Sequence, residues 1–388
     1  MTTNSPIECE FFDSILCGRY EDVLRVVENA QELLHAFDYR CFGATPITSI
    51  AFRGSDSHDL DMIQLLIDLG ADVNRRSDWW AGPWSPLHCA ICLGNDELAE
   101  FLLRNGATID LHTAAALGKL DELSRLLDAD PARISERGGD GCLPLHFAGT
   151  VDSARLLLER GADINARCID HYSTPVQYLS NVRPLVARYL FSKGAECDIF
   201  TAVLAGDIDL VKKLILSDSK VIHERIDQNR FPPSKEHDVH NMLTFVVGQN
   251  AMAVHAAARG NRPEMVPILH ASGADLNCRG GYDDATPLHI AAWNDNFGVG
   301  AKLIALGADI NIRSGRIHNN SPAGWAIVAG SHRVFSLLMD HNAQIHPWFA
   351  EDAQIAIEGG FTKYKPAPAE NYANIQNRLQ VATRGKKS

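Results

Sequence analysis

Apolar residues recur along most of the chain at helical spacing, in short runs broken by glycine. The segment 286–311 shows the unit most completely. Leu288, Ile290, Ala291 and Ala292 place a small apolar face on one short helix, and Val299, Leu303, Ile304 and Leu306 place a second face on the next. Thr286 offers a hydroxyl that can cap the first helix, and Pro287 follows at the first helical position, where an N–H has no helical partner. Gly307 can take the left-handed conformation that ends the second helix. An extended segment, Asp309-Ile310-Asn311, leads onward. The predicted unit is therefore helix, turn, helix, glycine stop and connector. Alone it leaves its apolar face uncovered, so it must fold against copies of itself. At ~1.5–3 kcal/mol per fully buried Leu or Ile, that shared face carries most of the stability.

The unit recurs. One register is anchored by Thr45-Pro46, Ser85-Pro86, Leu143-Pro144, Thr174-Pro175, Thr286-Pro287 and Ser321-Pro322, and a second by Gly70, Gly106, Gly161, Gly194, Gly273 and Gly307, each followed by alanine. Where both are intact they return at about 33 residues. The stretches 286–311 (TPLHIAAWNDNFGVGAKLIALGADIN), 85–110 (SPLHCAICLGNDELAEFLLRNGATID) and 143–165 (LPLHFAGTVDSARLLLERGADIN) resemble the ankyrin-repeat family, and the resemblance runs from about residue 11 to 360. It implies an all-α solenoid of helix-turn-helix repeats with short β-hairpin fingers, about nine repeats plus a C-terminal cap. It also implies a non-enzymatic module or adaptor that binds partner proteins through a concave groove and finger loops. His88, His146, His255 and His289 share one slot of the motif, and the resemblance gives them a structural hydrogen-bonding role between neighbouring turns.

The repeats form a second level of order. At Asp110-Leu111, Asp198-Ile199 and His346-Pro347 one repeat runs directly into the next helix, and with the N-terminal stretch these mark blocks starting near 11, 111, 199 and 347. That form is more similar to bacterial ankyrin proteins than to long animal arrays. The unit at 143–165 is about three residues short before Val151, and 226–250, with Pro232-Pro233, is an insertion that fits no repeat. Residues 1–10 are expected to be disordered and 361–388, containing Pro366 and Pro368, to be a flexible tail.

Charge narrows the partners. The 388 residues hold 36 Lys+Arg and 48 Asp+Glu, and 36 − 48 gives −12. Nucleic acid and anionic membrane are therefore disfavoured, although Arg75-Arg76 and Lys386-Lys387 are local basic spots. No apolar run approaches the ~20 residues of a membrane span, and residues 1–10 lack the apolar stretch of a signal peptide. Nine cysteines, odd in number and mostly in apolar context, read as thiols of a reducing, cytoplasmic compartment. A monomer is expected, with self-association into an assembly as a rival. Phosphate-binding, nucleophile-elbow and zinc-protease motifs are absent, so no catalytic residue, cofactor or metal is assigned. Cys89 and Cys92 lie three apart with no second pair, which favours packing over zinc. Glu236, His237, Asp238 and His240 make the insertion the place for an alternative, metal-dependent activity. A secreted effector acting on host proteins would bind in the same way as a cytoplasmic adaptor.

The candidate contacts are aromatic. Arg75, Arg76, Trp79, Trp80 and Trp84 stand in one inter-repeat segment, with three of the chain's six tryptophans inside six residues. Trp and Arg are enriched at binding hot spots. The bland alternative folds one or two indoles onto the adjoining loop, Trp84 above all. In the family the positions after the paired alanines line the concave face; here they carry Cys92, Leu93, Arg259, Trp293 and Asn294, with Tyr282 in the preceding loop.

Overall fold

The structure is a computed structural model that describes residues 3–53, 57–227, 231, 240–315, 321–359 and 367–384. Glu236, His237 and Asp238, named above as metal-type residues of the insertion, lie outside the described residues. The chain divides into two compact units, one mainly Met1–Leu179 with Leu185–Ala195, the other mainly Glu196–Pro233 with His240–Ser388.

In the first unit, helix pairs follow the glycine register: Pro46–Arg53 with Ser57–Asp68, Pro86–Cys92 with Asp96–Arg104, and Leu111–Leu117 with Leu120–Ala129. Ser85 caps its helix by accepting from the His88 N–H at 3.2 Å, and Pro86 stands at the first helical position. Thr45 and Pro46 open the preceding helix in the same way, with Thr48 replacing the histidine. Ile47, Ile50, Leu87, Ala90, Leu98 and Leu102 are buried between successive pairs. The short unit at 143–165 keeps only one 3-10 turn, Pro144–Phe147, as its first helix. The missing residues pull the backbone onto its neighbour. Gly149 donates to the Ala115 carbonyl at 3.0 Å, and a Cβ there would stand 1.8 Å from the Ala116 oxygen.

The second unit repeats the plan with Ile199–Ala205 and Ile208–Ser217, Ala253–Arg259 and Met265–Ala271, Pro287–Trp293 and Phe297–Ala305, and Pro322–Val328 and His332–Asp340. Its core joins Val254, Ala257, Leu288, Ala291, Leu303, Ile327 and Leu338. Gly273 and Gly307 close their helices at φ +99° and +92°, as Gly70, Gly106, Gly161 and Gly194 do in the first unit at +90° to +106°. The described ends of the insertion belong to this core. Ile226 and Leu243 are fully buried, and Ile226 exchanges hydrogen bonds with Ala251 and Asn250 at 2.9 and 2.7 Å.

The expected β-hairpin fingers are absent: no strand forms among the described residues, and only two isolated bridges occur, Asp38 with Ala44 and Gly280 with Ala285. The reason is where the loop amides spend their hydrogen bonds. Asp72, Asp163, Asp275 and Asp309 each accept, through the side chain, from the N–H of the asparagine two residues on, at 2.8–2.9 Å. Asn74, Asn277 and Asn311 then accept from the next repeat's Thr108, Asp309 and Gln344 N–H at 2.8 Å. Side chains take the donors that a strand ladder would need. Both termini also differ from expectation. Ser5 and Glu8 form a reciprocal capping box on the helix Pro6–Leu16, so ordered structure begins inside residues 1–10. Within 361–388, the helix Ala369–Arg384 buries Tyr372, Ile375 and Leu379.

Of the four shared-slot histidines, His146 and His255 join neighbouring repeats, whereas the buried His88 Nε2 has no partner among the described residues. His146 Nδ1 accepts from the Leu143 N–H at 3.2 Å and its Nε2 meets the Ser173 carbonyl at 3.0 Å; His255 does the same with Met252 at 3.1 Å and Ala285 at 3.1 Å. His289 Nδ1 closes its own turn onto Thr286. An Nδ1 acceptor and an Nε2 donor define a neutral ring. Burial lowers both His146 and His255 to about 4. In the unfolded chain imidazole titrates near 6.5, so between about 6.5 and about 4 the unfolded state binds more protons. Stability is therefore full above about pH 6.5 and falls by roughly 1.4 kcal/mol per pH unit for each such histidine below it. Thermal denaturation across that window checks this; a midpoint that stays level would contradict it.

Candidate functional site

Because each first helix starts at the same motif position, its last residues come into register along one face. Arg259 and Trp293 are equivalent residues, four beyond His255 and His289. In the second unit they converge, with Tyr282, Asn294 and Trp325, on a pocket of about 340 Å³. The insertion closes one side through Phe245 and Val246, from the short helix Met242–Val246.

Polar contacts hold that wall in place. Arg259 donates from Nε to the Val246 carbonyl at 2.8 Å and from Nη1 to Asn294 Oδ1 at 2.9 Å, so one guanidinium ties the insertion to the next repeat. Asn294 Nδ2 donates to the Ile290 carbonyl at 2.9 Å, which orients its oxygen toward Arg259. The Tyr282 hydroxyl donates to the Phe245 carbonyl at 2.8 Å, although 60% of the residue is exposed. Trp293 and Trp325 meet edge to face, with centroids 5.7 Å apart at 73°. The Trp325 indole N–H is buried and has no partner among the described residues.

In the first unit the other aromatic candidates form a separate cluster. Trp84 lies against His88, Phe52 and Phe147 with centroids 4.7, 6.1 and 5.9 Å away. Its N–H donates to Asp140 Oδ1 at 3.1 Å, and a Cβ on Gly139 would stand 2.2 Å from its ring. Trp79 packs edge to face on Phe42 at 5.0 Å and donates to Asp170 Oδ2 at 3.3 Å. Trp80 and Phe42 are 46% and 52% exposed. Burial pushes the Asp140 carboxyl up to about 6; His171 opposes the rise and Asp170 adds to it. Arg75 lies over the Phe37 ring at 4.7 Å and Arg76 pairs with Asp110 at 2.7 Å. Cys92 and Leu93 are exposed, while Cys89 is buried and its thiol is pushed well up by that burial.

A family model for ankyrin repeats in three copies matches residues 23–113, 199–314 and 255–348, and one for a single ankyrin repeat matches 140–169, together well over half of the chain. The chain belongs to the ankyrin-repeat family. Among curated relatives, alpha-latrocrustotoxin-Lt1a of Latrodectus tredecimguttatus is 27% identical over 37% of this chain and 12% of its own length. The E3 ubiquitin-protein ligase KEG of Arabidopsis thaliana is 26% identical over 66% of this chain and 16% of its own. This chain thus spans under a fifth of those relatives. The crystal structure of the human ASB11 ankyrin repeat domain is similar at 25% identity and a TM-score of 0.38, covering 61% of this chain and 99% of that one.

This ankyrin chain brings Arg259, Tyr282, Trp293 and Asn294 together, and it places the Trp79, Trp80 and Trp84 group in the other unit. Trp325, Phe245 and Val246 were not singled out by sequence reasoning. Trp325 was legible in part: it occupies the slot of Ile290, and Gly324 stands in the histidine slot beside it. Phe245 and Val246 carry no repeat signal. No helix among the described residues is long and apolar enough to cross a membrane. Two groups of metal-type donors occur among the described residues, Cys142 with His146 and Cys168, and Asp140 with Asp170 and His171; neither lies in the insertion.

The Arg259 fork makes a direct prediction. Arg259→Met removes two charge-assisted bonds of roughly 1.5–3 kcal/mol each, so amide exchange over Met242–Val247 should quicken at least tenfold while the Pro86–Cys92 helix is unchanged. Mass-spectrometric hydrogen exchange reads both segments.

Proposed function

We propose that the chain is a non-enzymatic protein-interaction module and that the pocket of its second unit receives a bulky apolar side chain of a partner polypeptide. The observation that carries this is the convergence of Trp293, Trp325, Phe245 and Tyr282 around about 340 Å³, held open by the Arg259 fork. Preformed aromatic walls lower the ordering needed on binding, so a few anchors supply most of the affinity. The family assignment supports the same reading. Protein is favoured over nucleic acid because Arg75 and Arg76 already have partners within the fold. In the first unit, Trp80 and Phe42 offer a second aromatic contact beside Trp79.

Selection of displayed random peptides on the full chain tests this. Enriched peptides should share a large apolar anchor and lose at least ~30-fold in affinity to Trp293→Ala combined with Tyr282→Ala, the loss of two hot-spot residues. They should be unaffected by Leu216→Ser, a substitution of an 86% exposed residue that does not line the pocket. Selected peptides that bind the double variant as tightly as the parent would remove the pocket from the function.

A further inference from the structure

Both groups of metal-type donors lie in the first unit, apart from the pocket. They differ in kind. In the group of Cys142, His146 and Cys168 each residue is at most 2% exposed. Its donors are also committed: His146 uses both ring nitrogens between Leu143 and Ser173, and the Ser173 N–H donates to Cys168 Sγ at 3.3 Å. A sulfur beside the capping nitrogen recurs at Cys278 and His255, 3.7 Å apart, in a repeat where no third donor joins them among the described residues. That group is packing.

The group of Asp140, Asp170 and His171 is built otherwise. Two loops supply it, tied by the Asp170 N–H donating to the Asp140 carbonyl at 3.0 Å. His171 Nε2 stands 3.8 Å from Asp140 Oδ2 and 4.0 Å from Asp170 Oδ2, and the three donor atoms lie within 4.8 Å of one another. Those separations are too long for hydrogen bonds. Two donors on one tetrahedral ion stand about 3.3–3.6 Å apart when each bond is about 2.0–2.2 Å, so these donors need draw in by only a few tenths of an ångström to share an ion. Trp84 orients Asp140 from behind by donating to Oδ1 and leaving Oδ2 toward His171, an outer-shell arrangement of the kind that steers metal-binding carboxylates, while Trp79 donates to the Asp170 Oδ2 that faces His171. The three side chains keep 10–18% of their surface exposed, so a small ion has access and water can complete its coordination. One imidazole with two carboxylates is a nitrogen and oxygen set suited to a borderline divalent cation rather than a soft one.

We propose that Asp140, Asp170 and His171 bind a divalent transition cation of the zinc class. The ion clamps the two loops behind Trp79 and Trp84 and so stiffens the aromatic contact of the first unit. The full chain, stripped with EDTA, is titrated with Zn²⁺ by calorimetry and by tryptophan emission, and with Co²⁺ by absorption. One equivalent should bind and change the emission, with a Co²⁺ spectrum free of thiolate charge transfer. His171→Ala should weaken binding at least ~30-fold and abolish the rise in melting temperature that Zn²⁺ causes. Cys142→Ser combined with Cys168→Ser should keep both. If His171→Ala does not fold by circular dichroism, Asp140→Asn replaces it, since the amide oxygen still accepts from Trp84. Absence of saturable binding, binding that survives the ligand substitution, or thiolate charge transfer with Co²⁺ each overturns the assignment.

Discussion

Imidazoles sealed between repeats, and therefore neutral, set the geometry of this chain. His146 and His255 each close the start of their own helix with one nitrogen and reach a carbonyl of the following repeat with the other. Asparagines 74, 277 and 311 pass a second hydrogen bond from loop to loop. These directional bonds fix how far one repeat stands from the next, and the apolar faces that no single repeat can cover supply the driving force. Neither suffices alone: burial is indifferent to register, and the polar relays need a dry interior to matter.

That register is what brings side chains of successive repeats onto one face. With each first helix starting at an equivalent residue, Arg259 and Trp293 arrive on one face and Asn294 is brought to the Arg259 guanidinium. The insertion then adds what the repeat lacks. Its short helix presents two carbonyls, of Phe245 and Val246, to Tyr282 and Arg259, and the apolar side chains beside them complete the pocket. In the first unit the deletion before Val151 has a comparable effect, since it removes most of a helix and leaves Phe147 against Trp84.

Much of this was readable in one dimension. The helix starts and the glycine stops follow from local chemistry, while the role expected of the histidine slot and the choice of Arg259, Trp293 and Asn294, with Tyr282 beside them, came from the family resemblance. Other features were not readable. The arginines at 75 and 76 were contact candidates beside three indoles, but they engage Phe37 and Asp110, which lie far from them in sequence. The fingers were expected as hairpins because the family resemblance implies them; here short Asp and Asn side chains took the amide donors first. Pro366 and Pro368 suggested a tail, yet the helix Ala369–Arg384 after them buries Tyr372 and Ile375, because the last repeat leaves an apolar face to be covered.

The division follows the range of the interactions. The sequence by itself determined the repeat, its period and its caps, because proline, threonine and glycine act on residues within a turn or two of their own position. Only the tertiary structure decided which side chains share a pocket, which arginines are engaged, and that Asp140 and Asp170 stand around His171. Those groupings join residues from separate repeats or from an insertion with no period of its own, and they depend on how neighbouring layers settle once their apolar faces meet.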